Sequence, residues 1–179
     1  MTSFVVDGML GKVALWLRLL GYDTIYLAEI DDDALLQKAQ SEGRVLLTSD
    51  AQLNKRAEET HVASVLLRGG VDDEIVALLR QFNIEPHIDP SKSRCSKCNG
   101  PLVEINEGEK ERVRGLVFEQ TYDHYDKFWL CRDCKSVYFQ GGHWRNIRLY
   151  MDRIRSLMQS LPPDSSMPSN GGLPSRGHR

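Results

Sequence analysis

The first half of the chain alternates between short apolar runs and amphipathic stretches, and no other feature limits the possible fold as much. Four apolar runs occur before residue 83, and a helical pattern follows each of them. The runs are residues 4–6, 24–28, 45–48 and 62–67, and the helical patterns cover residues 9–20, 31–42, 51–59 and 72–82. A strand–helix order that repeats in this way predicts an α/β fold, in which right-handed crossovers join the strands of a parallel sheet flanked by helices.

Acidic side chains follow three of these predicted strands. Asp7 follows the first, residues 31–33 lie shortly after the second, and Asp50 follows the third. Because parallel strands end at one edge of the sheet, where ligands of open α/β sheets bind, we expect these carboxylates to converge. A divalent cation would relieve their repulsion, and oxygen ligands favour Mg²⁺ or Mn²⁺. Such a metal can bridge a phosphodiester and activate water for in-line attack.

These carboxylates also have structural interpretations. An aspartate after a strand is a common turn residue, and Asp32 could cap a helix. The cluster at residues 72–74 favours the start of the next helix, and a ligand role there is the weaker interpretation. A phosphoacceptor receiver domain fits less well, because Asp7 stands alone and no fifth strand with a lysine precedes the linker.

The second half of the chain contains two Cys-x-x-Cys pairs, with 32 residues between them. The four cysteines are Cys95, Cys98, Cys131 and Cys134. Two such knuckles complete a closed tetrahedral Zn²⁺ site. Four sulfur ligands leave no open position, so we expect the zinc to be structural. Its binding would supply folding free energy that a module of this size lacks.

The pattern divides the chain into four segments. They are an α/β domain (residues 1–88), a linker (89–94), a small β-rich zinc ribbon with a C-terminal helix (95–160) and a disordered tail (161–179). Within the ribbon, strands are predicted at residues 113–118, 128–130 and 137–139, and the helix at 145–159. No apolar run is long enough to cross a membrane, and residues 9–20 lack the basic start of a signal peptide. We therefore expect a cytoplasmic protein with no membrane partner.

Charge is distributed unevenly between the two halves. Residues 1–93 carry 15 acidic and 9 basic side chains, whereas residues 94–179 carry 10 acidic and 14 basic ones. This difference would follow if the first half binds cations and the second half binds a polyanion, and it would also follow from chance clustering on solvated faces.

Several basic residues are candidates for phosphate contacts. They are Lys12, Arg18, Arg145, Arg148 and Arg155. For Arg18, a buried ion pair with a carboxylate is an equally good interpretation. Arg148 and Arg155 could instead pair with Asp152 on the same helix.

Basic and aromatic residues also occur together between the cysteine pairs, a combination that suits single-stranded RNA. The residues are Arg112, Arg114, Tyr122, Tyr125, Lys127, Phe128 and Trp129. For Trp129 and for Phe139, packing in the core of the ribbon is the favoured interpretation.

Four ordered stretches resemble the Mut7-C RNase domain family: residues 7–23, 32–39, 43–50 and 137–144. The resemblance covers about residues 4–155. It implies a PIN-like fold fused to a zinc ribbon, and a metal-dependent ribonuclease. The implied catalytic residues are Asp7, Asp32, Asp33 and Asp50, of which Asp7, Asp32 and Asp50 would hold Mg²⁺ or Mn²⁺. A fourth acidic position would fall at Asp72 or Asp73.

The chain departs from the family pattern at two positions. Ser49 stands where the family usually has arginine, which removes a cation beside the acidic edge, and Phe139 stands where it usually has tryptophan. The alternative function is a non-catalytic RNA- or ribosome-associated adaptor with a vestigial acidic site. Retention of all three acidic positions favours the nuclease.

Overall fold

A four-stranded parallel sheet forms the centre of the computed structural model, which describes residues 1–160. Its strands are Phe4–Val6 (β1), Thr24–Tyr26 (β2), Val45–Thr48 (β3) and Ser64–Leu66 (β4), in the order β2-β1-β3-β4. This arrangement confirms the predicted α/β class. The tail predicted at residues 161–179 lies outside the described part of the chain.

Helices cover both faces of the sheet. They are Gly11–Leu19 (α1), Asp32–Glu42 (α2), Ala51–Glu59 (α3) and Val71–Gln81 (α4), and a short 3-10 helix at Gly8–Leu10 precedes α1. Phe4, Val6 and Leu47 pack on the side of α1 and α4, whereas Val5 and Leu46 pack on the side of α2 and α3. Strands buried on both faces are apolar throughout, which explains why they appear in the sequence as unbroken runs.

The strand order reverses between β1 and β3. The chain places β2 on one side of β1, then crosses over to add β3 and β4 on the other side. β1 and β3 therefore lie next to each other at the point where an open α/β sheet binds its ligands.

The second sheet is antiparallel and has three strands in the order β5-β6-β7. They are Leu102–Ile105 (β5), Phe128–Cys131 (β6) and Val137–Tyr138 (β7), and a 3-10 helix at Glu107–Val113 and the helix Glu119–His124 (α5) lie between β5 and β6. The strand predicted at residues 113–118 is wrong. Val113 ends the 3-10 helix with its side chain in the ribbon core, and Gly115 has a positive φ of 77°. Val113 is apolar because its side chain contacts this core, and it lies in a helix and not in a strand.

The last helix, Gly142–Ser160 (α6), packs against α4 of the α/β domain. Met151 and Ile154 are buried in the same core as α1 and α4, and the ring of Tyr150 stacks on Trp16 at 4.1 Å. The helix that the sequence assigns to the ribbon module thus completes the core of the first domain. No helix within residues 1–160 has both the length and the apolar character that a membrane span needs.

Candidate acidic site and zinc centre

Asp7 and Thr48 meet at the carboxyl ends of β1 and β3. Asp7 caps the 3-10 helix, because its Oδ1 accepts from the backbone N–H of Met9 at 3.4 Å. Thr48 is fully buried, and its hydroxyl donates to Asp7 Oδ2 at 2.9 Å. The backbone N–H of Asp7 donates to the carbonyl of Leu47 at 3.0 Å, so the ladder between the two strands continues up to the carboxylate.

Asp50 lies on the other side of the same hydroxyl. Its backbone N–H donates to Thr48 Oγ1 at 2.9 Å. Its Oδ1 caps α3 by accepting from the N–H groups of Gln52 at 2.6 Å and Leu53 at 3.2 Å. A carboxylate at this position is stabilised by the positive end of the helix dipole. The structure therefore places Asp7 and Asp50 on adjacent strand ends, joined through one buried side chain.

Asp32 and Asp33 lie in the first turn of α2 and contact a cation on α3. Arg56 Nη1 lies 3.5 Å from Asp32 Oδ2, and Arg56 Nη2 pairs closely with Asp33. Asp31 is the cap of α2, since its Oδ1 accepts from the N–H of Ala34 at 2.9 Å. The capping role that the sequence allowed for Asp32 therefore belongs to its neighbour.

The acidic residues at the start of α4 have partners of their own. Asp72 accepts from the hydroxyl of Tyr150 at 2.8 Å and pairs with Arg153, so it holds α6 in place. Asp73 Oδ2 accepts from the N–H of Gly70 at 2.9 Å and caps α4. Glu74, the third acidic residue of this cluster, is 8% exposed. Burial, followed by the nearby charge of Asp73, raises the pKa of Glu74 above its ordinary value.

Two basic residues of α1 lie in opposite environments. Lys12 is exposed in the first turn, directly after the segment that Asp7 caps. Arg18 is 6% exposed, which does not suit a phosphate contact. Its Nε donates to the carbonyl of Thr24 at 2.9 Å and its Nη1 to that of Ser96 at 2.9 Å. Burial agrees with the second of the two interpretations of Arg18, but the partners are backbone carbonyls and not the carboxylate of that interpretation.

The four cysteines form a compact cluster. Their sulfur atoms all lie within 4.8 Å of one another, with Sγ–Sγ distances of 3.5 Å between Cys95 and Cys134 and 3.4 Å between Cys98 and Cys131. A tetrahedral zinc with Zn–S bonds of about 2.3 Å separates its sulfurs by about 3.8 Å. The donor set therefore fits a structural zinc ion. Within residues 1–160, the four cysteines are the one group of three or more metal-ligating side chains whose ligand atoms lie this close together. Asp7, Asp32 and Asp50 therefore do not form a group of this kind.

The first knuckle is bonded to the α/β domain through Asn99. Its Oδ1 accepts from the N–H of Thr24 at 2.9 Å, and its Nδ2 donates to Asp23 Oδ1 at 2.7 Å. Asn99 has a φ of 67°, a left-handed conformation that asparagine tolerates better than most residues. The only sequence signal for this role is an asparagine directly after a Cys-x-x-Cys pair.

A comparison with models of protein families shows the family to which this chain belongs. The family model of the Mut7-C RNAse domain matches residues 2–151. The chain belongs to this family. The match to the Mut7-C domain includes the acidic edge, both cysteine knuckles and the first half of α6. No curated protein and no solved structure matches the chain.

The basic residues of α6 differ in their contacts. Arg145 and Arg148 are exposed. Arg155 Nη1 pairs with Asp152 at 2.8 Å, and its Nη2 donates to the carbonyl of Pro86 at 3.0 Å. The opposite, apolar stripe of α6 docks on the protein, as the sequence predicted.

The aromatic residues of the ribbon fall on two sides of its sheet. Tyr122 and Phe128 pack in the ribbon core together with Val113. Phe139 packs against that core, as predicted. Trp129 does not, because neighbouring residues of β6 point to opposite faces and Trp129 faces away from Phe128.

Proposed function

We propose that this Mut7-C domain is a metal-dependent ribonuclease that hydrolyses RNA phosphodiester bonds at the edge formed by β1 and β3. The observation that carries the proposal is the arrangement of Asp7, Thr48 and Asp50. Two carboxylates lie at the ends of adjacent parallel strands where the strand order reverses, and a buried hydroxyl joins them. Carboxylates held at that place suit a cation and a phosphate.

The donor atoms fit Mg²⁺ or Mn²⁺. Mg²⁺ is commonly held through one or two carboxylates together with water and substrate phosphate oxygens, so Asp7 and Asp50 suffice as protein ligands. The caps of Asp50 use Oδ1, which leaves its Oδ2 available. When bound, such a metal neutralises charge on the phosphodiester and activates water.

The remaining residues have supporting roles. Thr48 orients the Asp7 carboxylate by its hydrogen bond, and Lys12 is an exposed cation next to the site that can contact a substrate phosphate. Asp32 and Asp33 belong to the same edge but are paired with Arg56. Their participation requires that Arg56 release them when a cation or RNA binds.

The test combines metal titration with RNA cleavage. We expect calorimetry to detect Mg²⁺ or Mn²⁺ binding to the full chain, and we expect a labelled RNA to be cut only when metal is added. Asp7→Asn and Asp50→Asn should lose both properties. Asp89→Asn is the matched control, because Asp89 Oδ1 also accepts a backbone N–H, from Ser91 at 3.0 Å, but Asp89 does not belong to the acidic edge. Cleavage by Asp7→Asn at the wild-type rate would overturn the proposal.

One observation favours the second candidate function, the non-catalytic RNA-binding adaptor. Arg56 already pairs with two of the four acidic residues, which a site without a metal allows. An adaptor would bind RNA through the ribbon and α6, but it would show no divalent-cation binding at the acidic edge and no cleavage. The same titration therefore separates the two functions.

A further inference from the structure

A cleft lies where the zinc ribbon, the end of α1 and the start of α6 meet, away from the acidic edge. It has a volume of about 250 Å³. Six residues give it apolar and largely aromatic walls: Leu19, Trp129, Tyr138, Phe139, Trp144 and Ile147. We call this cleft the junction pocket.

The walls of the junction pocket are held by well-packed elements. Trp129 is 3% exposed and lies on the ribbon face opposite Phe128. Within residues 1–160, the buried indole Nε1 of Trp129 has no hydrogen-bond partner. Across the pocket, Trp144 and Ile147 pack against the core of the α/β domain. The aromatic side chains that line the pocket thus belong to elements whose positions are fixed by two separate cores.

Basic side chains line this apolar cleft and lie on the helix that begins beside it. Arg94 and His143 line it, and His143 is exposed. From Lys127 to Arg155 the chain carries seven basic and two acidic residues. Arg145 and Arg148 are exposed on the helix that begins at the pocket. A ligand that suits both features has a planar apolar part and a chain of negative charges.

We propose that the junction pocket binds one unpaired base of a single-stranded RNA, with the neighbouring phosphates on the basic residues beside it. Aromatic faces stack on bases of any identity, and cations beside them contact the backbone. A cavity of about 150 Å³ is large enough for benzene, so this larger one suits a base. The choice of RNA rests on the proposed function.

The pocket is separate from the acidic site. Leu19 ends α1, whose first residue Gly11 lies next to the segment capped by Asp7, and the eight-residue step between them is about 12 Å. A base held there would belong to a nucleotide some distance along the strand from the bond that is cut. The pocket would then align the strand and would not touch the reacting atoms.

The experiment measures binding without added divalent cation, so its result does not depend on cleavage. The probes are a labelled oligoadenylate RNA and a strand of equal length and charge with abasic sites in place of the bases. We expect the full chain to bind the first strand about 5- to 100-fold more tightly, the range that stacking of one base produces. Phe139→Ala should remove most of this difference. Phe118→Ala is the matched control, because Phe118 is 86% exposed on the ribbon and does not line the pocket.

Indole N–H signals in NMR provide a readout that needs no variant. The chain has three tryptophans, of which Trp129 and Trp144 line the pocket, whereas Trp16 stacks on Tyr150. The oligoadenylate should shift the signals of the first two and leave that of Trp16 in place. Equal affinity for the abasic strand, or shifts that spare Trp129 and Trp144, would overturn the base pocket. Base-dependent binding without cleavage would contradict only the proposed nuclease.

Discussion

Thr48 donates its hydroxyl to Asp7 Oδ2 at 2.9 Å from a fully buried position at the end of β3. The same oxygen accepts from the backbone N–H of Asp50. A single side chain thus links the two strand ends that border the candidate site. Its hydroxyl is needed in both directions, because one bond uses it as a donor and the other as an acceptor.

We expect Thr48→Val to weaken both the fold and the RNA cleavage. Valine keeps the shape but leaves the Asp50 N–H without its acceptor, which should lower the free energy of unfolding by about 1–3 kcal/mol. Cleavage should fall by about 10- to 100-fold if the carboxylate of Asp7 loses its orientation. Urea unfolding and a cleavage assay measure the two effects. Thr48→Ser retains the hydroxyl and should stay near wild type, and full cleavage by the valine variant would contradict the positioning role.

Arg56 competes with a metal for the acidic edge, so we expect Arg56→Gln to increase Mg²⁺ affinity. The guanidinium pairs with Asp32 and Asp33, and its removal leaves two carboxylates without a cation. Calorimetric titration should show several-fold tighter binding. Lys55→Gln is the control, since it removes the adjacent positive charge, which lies 3.8 Å from Glu59 and, within residues 1–160, pairs with neither Asp32 nor Asp33. Equal affinity in both variants would mean that Asp32 and Asp33 take no part in the site.

Arg18 connects the α/β domain to the first zinc knuckle, and we expect Arg18→Met to destabilise both. Methionine removes the donors to Thr24 and Ser96 and leaves buried carbonyls unpaired. The free energy of unfolding should fall by about 2–3 kcal/mol. A zinc-release assay with a chelator should also show faster loss, because the knuckle loses its support. Lys12→Met, an exposed position on the same helix, should change neither measurement.

Glu74 makes stability depend on pH in a direction opposite to that of a paired carboxylate. Burial raises its folded-state pKa above the ordinary 4.5, so the ionised form opposes folding. Its favourable contribution is therefore complete below pH 4.5 and is lost as the pH rises through the folded-state pKa. Near neutral pH, Glu74→Gln should raise Tm, and the gain should vanish below pH 4.5. Glu85→Gln, at an exposed position, should show no gain at either pH.

The exposed arginines of α6 should contribute to RNA affinity in a salt-dependent way. Replacing Arg145 and Arg148 with alanine should weaken binding of unrelated RNA sequences alike. It should also flatten the slope of log affinity against log salt by about one to two units. Arg155→Ala should have little effect on that slope, because Arg155 is already paired with Asp152 and the carbonyl of Pro86. An unchanged slope in the double variant would identify the stripe as a solvated face.

Much of the fold follows from local patterns. The two central strands, β1 and β3, appear in the sequence as apolar runs because they are buried on both faces. The start of α2 is visible because carboxylates favour a helix N-terminus. The strand predicted at residues 113–118 failed because an apolar residue such as Val113 can enter a core without any strand pairing.

In the candidate site, too, some features follow from local sequence patterns and others depend on the fold. Asp7 and Asp50 could be placed at strand ends from the alternation alone. The hydroxyl of Thr48 that joins them could not, because a threonine at the end of an apolar run is common in strands of any role. Arg18 shows the limit most clearly. Two of its partners, the carbonyls of Ser96 and Lys97, lie 78 and 79 residues along the chain, a separation that no local pattern encodes.

The sequence by itself determined the alternation of strands and helices, the carboxylates that follow the strands and the two cysteine knuckles, because each depends on spacing between near neighbours. Only the tertiary structure decided that Arg56 pairs with Asp32 and Asp33, that α6 completes the core of the first domain, and that Trp129 faces a cleft and not the ribbon core. These contacts join segments far apart in the chain. They depend on how whole elements pack, and many packings are compatible with the same local pattern.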